Sequence, residues 1–149
     1  MHAKNALVKK MAGSGLLISG GGFNPFVSEI VNSIIYLGLL KSNIQRLKKI
    51  YGKRVKIFCD ELRIHLPEQA VFKVPKGGYF VWVRFPDGID TKSFRKSAQT
   101  QKVDFHSGSL FSCKKGLKNY MRLCFSFYDE QVLVQGARRL GKVISDQLS

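Results

Sequence analysis

The chain has 149 residues, 44% of them hydrophobic and 23% charged, which fits one domain of ordinary size and excludes a disordered chain. Its 25 Lys and Arg outnumber ten acids, a formal net charge of +15, and this raises nucleic acid or an acidic membrane as partners. The cations are spread over 41–63, 113–118 and the C-terminal segment rather than gathered in a tail, the pattern of a solvated basic surface that also suits anionic ligands.

In chain order, Asn5 to Met11 is helix-like and is ended by Gly13 and Gly15. Gly20, Gly21 and Gly22 make a flexible loop. Asn24 is a candidate N-cap with Pro25 at the first helical position, and the helix runs to about Leu37 with Gly38 closing it. The longest helix follows. Ile44, Leu47, Tyr51, Val55, Phe58, Leu62 and Leu66 recur at steps of three and four and form one apolar stripe. Lys48, Lys49, Lys53, Arg54 and Lys56 fall mostly off that stripe, and Pro67 stops the helix. The period then changes to that of strands. Val71–Val74 and Tyr79–Phe85 are strands around a turn at Pro75–Gly78. After the Pro86–Gly88 turn, Asp90 caps a short helix from Thr91 to about Gln101. Val103–Phe105 reads as a brief strand and Asn119–Phe127 as a longer one. Asp129 opens the last helix, with Leu133, Gly136, Ala137, Leu140, Val143 and Ile144 on its inner face. Helices followed by a small sheet with helices define an α+β fold.

Cys59, Cys113 and Cys124 have no paired spacing, so the chain has no disulfide framework and reads as a reduced, cytoplasmic protein. No Cys or His pair has metal-ligand spacing, so no metal site is expected, and His65 at a helix end is structural. No apolar run suffices for a signal peptide or a bilayer span. The N-terminus is basic up to Glu29 but lacks Arg, which leaves a mitochondrial transit segment as a minor alternative.

Arg122 is the most informative residue. It stands in an apolar strand among Tyr120, Met121, Leu123, Cys124, Phe125 and Phe127. A charge there is costly unless an anion meets it, and the planar fork of Arg suits a carboxylate. The plain alternative is a solvated strand face or a pair with a nearby acid.

SGGGFNPFVSEIV (19–31), PKGGYFVWVRFPDGIDT (75–91), VDFHSGSLF (103–111), KNYMRLCFSFYDEQ (118–131) and EQVLVQGARRLGKVI (130–144) follow one another in family-like order. Together they resemble the C-terminal part of class I/II, fold-type-I aminotransferases, which use pyridoxal 5'-phosphate (PLP), in the 2-aminoadipate and aromatic branch. The resemblance implies a small C-terminal domain over 41–149, with a long helix, a mostly antiparallel sheet and flanking helices. Residues 1–40 would be a helical remnant of the large PLP-binding α/β domain. It implies that Arg122 holds the substrate α-carboxylate, that Gly21, Gly22 and Asn24 belong to a loop reaching toward the partner subunit's active site, and that the enzyme is a homodimer. A plain glycine linker with a capped helix is the alternative for that loop. Gly77 and Gly78 match a structural turn, and Phe80 and Trp82 are read as core or interdomain packing. Phe105, Gly108 and Phe111 match the pattern, whereas Ser107 replaces the usual Pro and His106 a usual apolar residue. The Schiff-base lysine run, S-K followed by P-G-x-R, is absent from the chain: Val8 precedes Lys9 and Lys10, and no P-G-x-R follows. The chain is therefore expected to supply substrate recognition and dimer contacts, without covalent attachment of PLP and without activity by itself.

Two other functions are consistent with parts of the sequence. Lys76–Val83 approximates an RNA-binding strand signature but has Gly78 and Val83 where aromatics should stack, and the order of elements is wrong for that fold. A non-catalytic partner of a complete aminotransferase would share the same fold reading.

Overall fold

The structure, a computed structural model, describes residues 4–14, 24–114 and 116–148. Gly21 and Gly22 lie outside the described residues. The chain divides into two compact units, Met1–Arg46 and Leu47–Ser149.

The first unit contains α1 (Asn5–Ala12), α2 (Pro25–Tyr36) and the beginning of α3 (Leu39–His65). The cap of α2 follows the local sequence. Asn24 Oδ1 accepts a hydrogen bond from Val27 N at 3.0 Å, and Pro25 takes the first turn, where its missing N–H is not needed. Gly38, at φ +70°, leaves the helix in the left-handed region that glycine reaches without strain. No residue of α2 is buried, although its sequence is strongly apolar.

The second unit contains the rest of α3, β1 (Val71–Phe72), β2 (Phe80–Arg84), α4 (Arg95–Thr100), β3 (His106–Ser107), β4 (Tyr120–Cys124) and α5 (Glu130–Leu148). Short 3-10 turns occupy Thr91–Phe94 and Gly108–Phe111. The sheet has the order β1-β2-β4-β3 and is antiparallel throughout. Strand alternation gives it one buried face and one open face. Val81, Val83, Met121 and Leu123 point inward onto Phe58, Cys59 and Leu62 of α3 and Leu133, Ala137, Leu140 and Ile144 of α5. Burial raises the Cys59 thiol to about 11, so it remains neutral within this core.

Several expectations change. Phe80 and Trp82 are not in this core; they lie on the opposite face of β2, and Trp82 is 36% exposed. The strand expected at 103–105 lies at His106–Ser107. Val103 N instead donates to Ala98 O, finishing α4, while Asp104 is held by Arg95 and Gln99. Arg54 is partly buried rather than solvated, and its Nη1 donates to Ser126 O at 2.6 Å, tying α3 to the end of β4. On α5, Gly141 rather than Gly136 marks the tightest packing. The backbone of His65 passes so close to Gly141 that any side chain would collide with it. His65 is structural, as expected: its Nε2 meets Glu61 at 3.3 Å, and Glu61 also accepts from Arg138 on α5 at 3.4 Å.

Candidate functional site

The open face of the sheet carries Phe80, Trp82 and Arg84 on β2 and Tyr120, Arg122 and Cys124 on β4. In the ladder, Arg122 stands between Trp82 on one side and His106 on the other. The register that places it there is pinned at the strand ends. Asn119 O accepts from Phe85 N at 2.9 Å, and Asn119 Nδ2 donates to Phe85 O at 2.7 Å and Asp87 Oδ1 at 3.0 Å. The buried Thr91 secures the same corner. Its hydroxyl lies 2.8 Å from Tyr120 O, 3.0 Å from Lys118 O and 3.0 Å from Ser107 Oγ.

Arg122 is half-buried, and no acid or hydrogen-bond acceptor meets it among the described residues; its Nε is fully buried without a partner. A buried donor left unpaired costs about 1–3 kcal/mol, and the Nε of Arg54 is in the same state. What does contact the guanidinium is aromatic. Its Cζ lies 3.9 Å from the Phe80 ring centroid and 4.0 Å from that of Phe111. Beside it is a cavity of about 150 Å³ lined by Phe80, Asp104, Phe105, His106, Arg122 and Cys124. Its one other charged wall residue, Asp104, is already committed. A hydrogen bond from Arg95 is the main cause that lowers the Asp104 carboxyl to about 2. The chemistry on offer is thus an unpaired, oriented cation at the edge of a small apolar-walled cavity, suited to an organic carboxylate.

The sequence identified Arg122 but not its two aromatic partners. Phe111 arrives by the 3-10 turn after β3. That turn depends on Gly108, where a Cβ would come within 2.7 Å of Tyr120 Cβ. Ser107, in place of the usual Pro, has φ −63°, a value proline also takes. His106 is exposed, with its ring 6.2 Å from that of Phe111. Asn24 caps α2 in the first unit.

No protein-family model matches the chain. It is 30% identical over 126 residues to an uncharacterized aminotransferase of Saccharolobus solfataricus, covering 84% of this chain and 31% of that protein. It is 30% identical to aromatic-amino-acid aminotransferase 1 of Thermococcus litoralis, covering 84% of this chain and 30% of the relative. Among solved structures, the kynurenine aminotransferase of Pyrococcus horikoshii superposes with a TM-score of 0.84 at 29% identity, over 97% of this chain and 36% of that one. On sequence and fold together, the class is the fold-type-I aminotransferases, which are PLP enzymes, and the match is to their C-terminal part. The chain spans about a third of the length of these relatives.

The Arg122 cavity does not fit the cofactor itself. PLP needs an amine for its aldehyde and several donors for its phosphate. The cavity wall has one free guanidinium and no lysine. These residues are suited to an organic carboxylate, not to the cofactor.

Proposed function

We propose that this chain provides the substrate-recognition part of an aminotransferase that moves an amino group between an amino acid and a 2-oxo acid, and that Arg122 holds the substrate α-carboxylate. The observation that carries the proposal is the Arg122 guanidinium, met by no acid or acceptor among the described residues, beside the small cavity on the open face of the sheet. In this reading residues 41–149 are the small domain and residues 1–40 the tail of the large one. Gly21, Gly22 and Asn24 face the active site of a partner subunit in a homodimer, and the enzyme is cytoplasmic.

Arg122 orients the carboxylate in the plane of its fork and so fixes where the α-carbon stands. Proton transfer and cofactor attachment fall to residues outside this chain. The test is PLP added to the purified chain, with borohydride trapping and mass mapping, beside the same chain joined to a lysine-bearing upstream portion. The expected result is no specific adduct and no transamination for the chain alone, and turnover for the joined form. A specific adduct on Lys9 or Lys10 with turnover would overturn the proposal. A non-catalytic partner role predicts instead that the chain co-purifies with a complete aminotransferase and adds no activity of its own.

A further inference from the structure

The aromatic pair around Arg122 has a role beyond packing. Phe80 and Phe111 are not ring partners of each other, yet each centroid is within 4.0 Å of the Arg122 Cζ. Two rings so close to one carbon without meeting lie on different sides of the guanidinium. Rings stacked there cover its faces and leave its outer edge for a ligand, the Nε side being buried. The slot is held from outside. The Phe111 ring meets the edge of Trp82 at 5.5 Å, Phe80 meets Tyr79 at 6.4 Å, and Gly108 lets the turn carrying Phe111 approach β4.

Resting on the carboxylate reading of Arg122, we propose that Phe80 and Phe111 are positioning and specificity-determining residues: they form a slot that admits a flat carboxylate edge-on and disfavours tetrahedral oxyanions. A carboxylate is planar and can lie coplanar with the fork, between the two ring planes. A phosphonate or sulfate carries oxygen out of that plane, toward the negative faces and bulk of the rings. Charge alone would favour the tetrahedral dianion, so the predicted order is the reverse of simple electrostatics.

Trp82, the one tryptophan of the chain, lies directly across the ladder from Arg122 and against Phe111, and so reports on this site. The experiment titrates the full chain at micromolar concentration with isobutyrate and, separately, methylphosphonate, at constant ionic strength, and follows Trp82 emission. Wild type should bind isobutyrate saturably and methylphosphonate about tenfold more weakly. Phe111→Leu should lose about tenfold for isobutyrate, on the scale of a desolvated cation–π contact, and should lose the preference between the two anions. Phe111→Tyr should restore both. Phe111 is 43% exposed, so Leu should leave the urea midpoint nearly unchanged, which separates positioning from folding. If Phe111→Leu keeps wild-type affinity and preference while Arg122→Ala abolishes binding, the slot is wrong and the carboxylate site stands. If wild type shows no saturable response to isobutyrate, or Arg122→Ala leaves it unchanged, the carboxylate site and the slot both fall.

Discussion

Arg122 and Asp104 show how differently two charges lining one cavity are treated. Arg122 has two aromatic rings beside it and no counterion among the described residues. Asp104 accepts from Arg95 at 2.9 and 3.0 Å, from Gln99 at 3.1 Å and from Phe105 N at 2.8 Å. Its carboxyl is lowered from the ordinary 3.8 to about 2, chiefly by Arg95. A depressed carboxyl stabilises the fold fully above its unfolded value, and that stabilisation is lost as pH falls through the folded one. Urea midpoints of wild type and Asp104→Asn should therefore differ by a constant amount above about pH 4 and converge toward pH 2; a gap unchanged down to pH 2 would contradict the pairing. The pair is half exposed, so the gap should be modest. Arg122 was legible in the sequence because an arginine in an apolar strand is conspicuous at any register. Its slot was not, because Phe111 is brought in by a turn that no periodicity describes.

Helices were read more closely than strands. The caps at Asn24, Asp90 and Asp129 all accept the backbone N–H expected of them. Phe80 and Trp82 read as core or interdomain packing, and the structure removes the core half of that reading for a physical reason. Phe80, Val81, Trp82 and Val83 are all apolar, so strand alternation cannot say which face is inward; the answer comes from α3 and α5, which cover Val81 and Val83. Val103 and Phe105 have strand propensity, but the ion pair of Asp104 holds that stretch to α4 and pairing begins one residue later. Close approach of helices is likewise invisible in sequence, since it requires knowing that His65 crosses Gly141 rather than Gly136. Gly141→Ala should destabilise by about 1–3 kcal/mol through overpacking, while Gly136→Ala, with open space around it, should be neutral or slightly stabilising as a better helix former. Thermal or urea unfolding of the two variants checks this, and equal effects would contradict the packing.

At the scale of the whole molecule, the chain spans about a third of its relatives' length and has an exposed apolar helix face. On α2, Phe26 is 75% exposed, and Val27, Ile30, Val31 and Ile35 are exposed with it. An apolar face of this kind favours association, so size-exclusion chromatography should show self-association that rises with concentration and weakens in Ile30→Lys. A compact monomer that binds no hydrophobic dye would count against this. No helix among the described residues is long and apolar enough to cross a membrane, so α2 is not a spanning segment. The excess of +15 is carried largely by exposed side chains. The most direct test of the account is kcat/KM for several amino acids in the enzyme restored with a lysine-bearing portion. Wild type is compared with Arg122→Ala, Arg122→Lys and Arg84→Ala. Arg84 lies on the same sheet face, but it is exposed and already paired with Asp87 at 3.3 Å. Losing two charged hydrogen bonds at roughly 1.5–3 kcal/mol each should lower kcat/KM by orders of magnitude in Arg122→Ala, with partial recovery in Arg122→Lys and little change in Arg84→Ala. Equal losses at Arg122 and Arg84, or a loss at Arg122 that only tracks lowered folding stability, would contradict it.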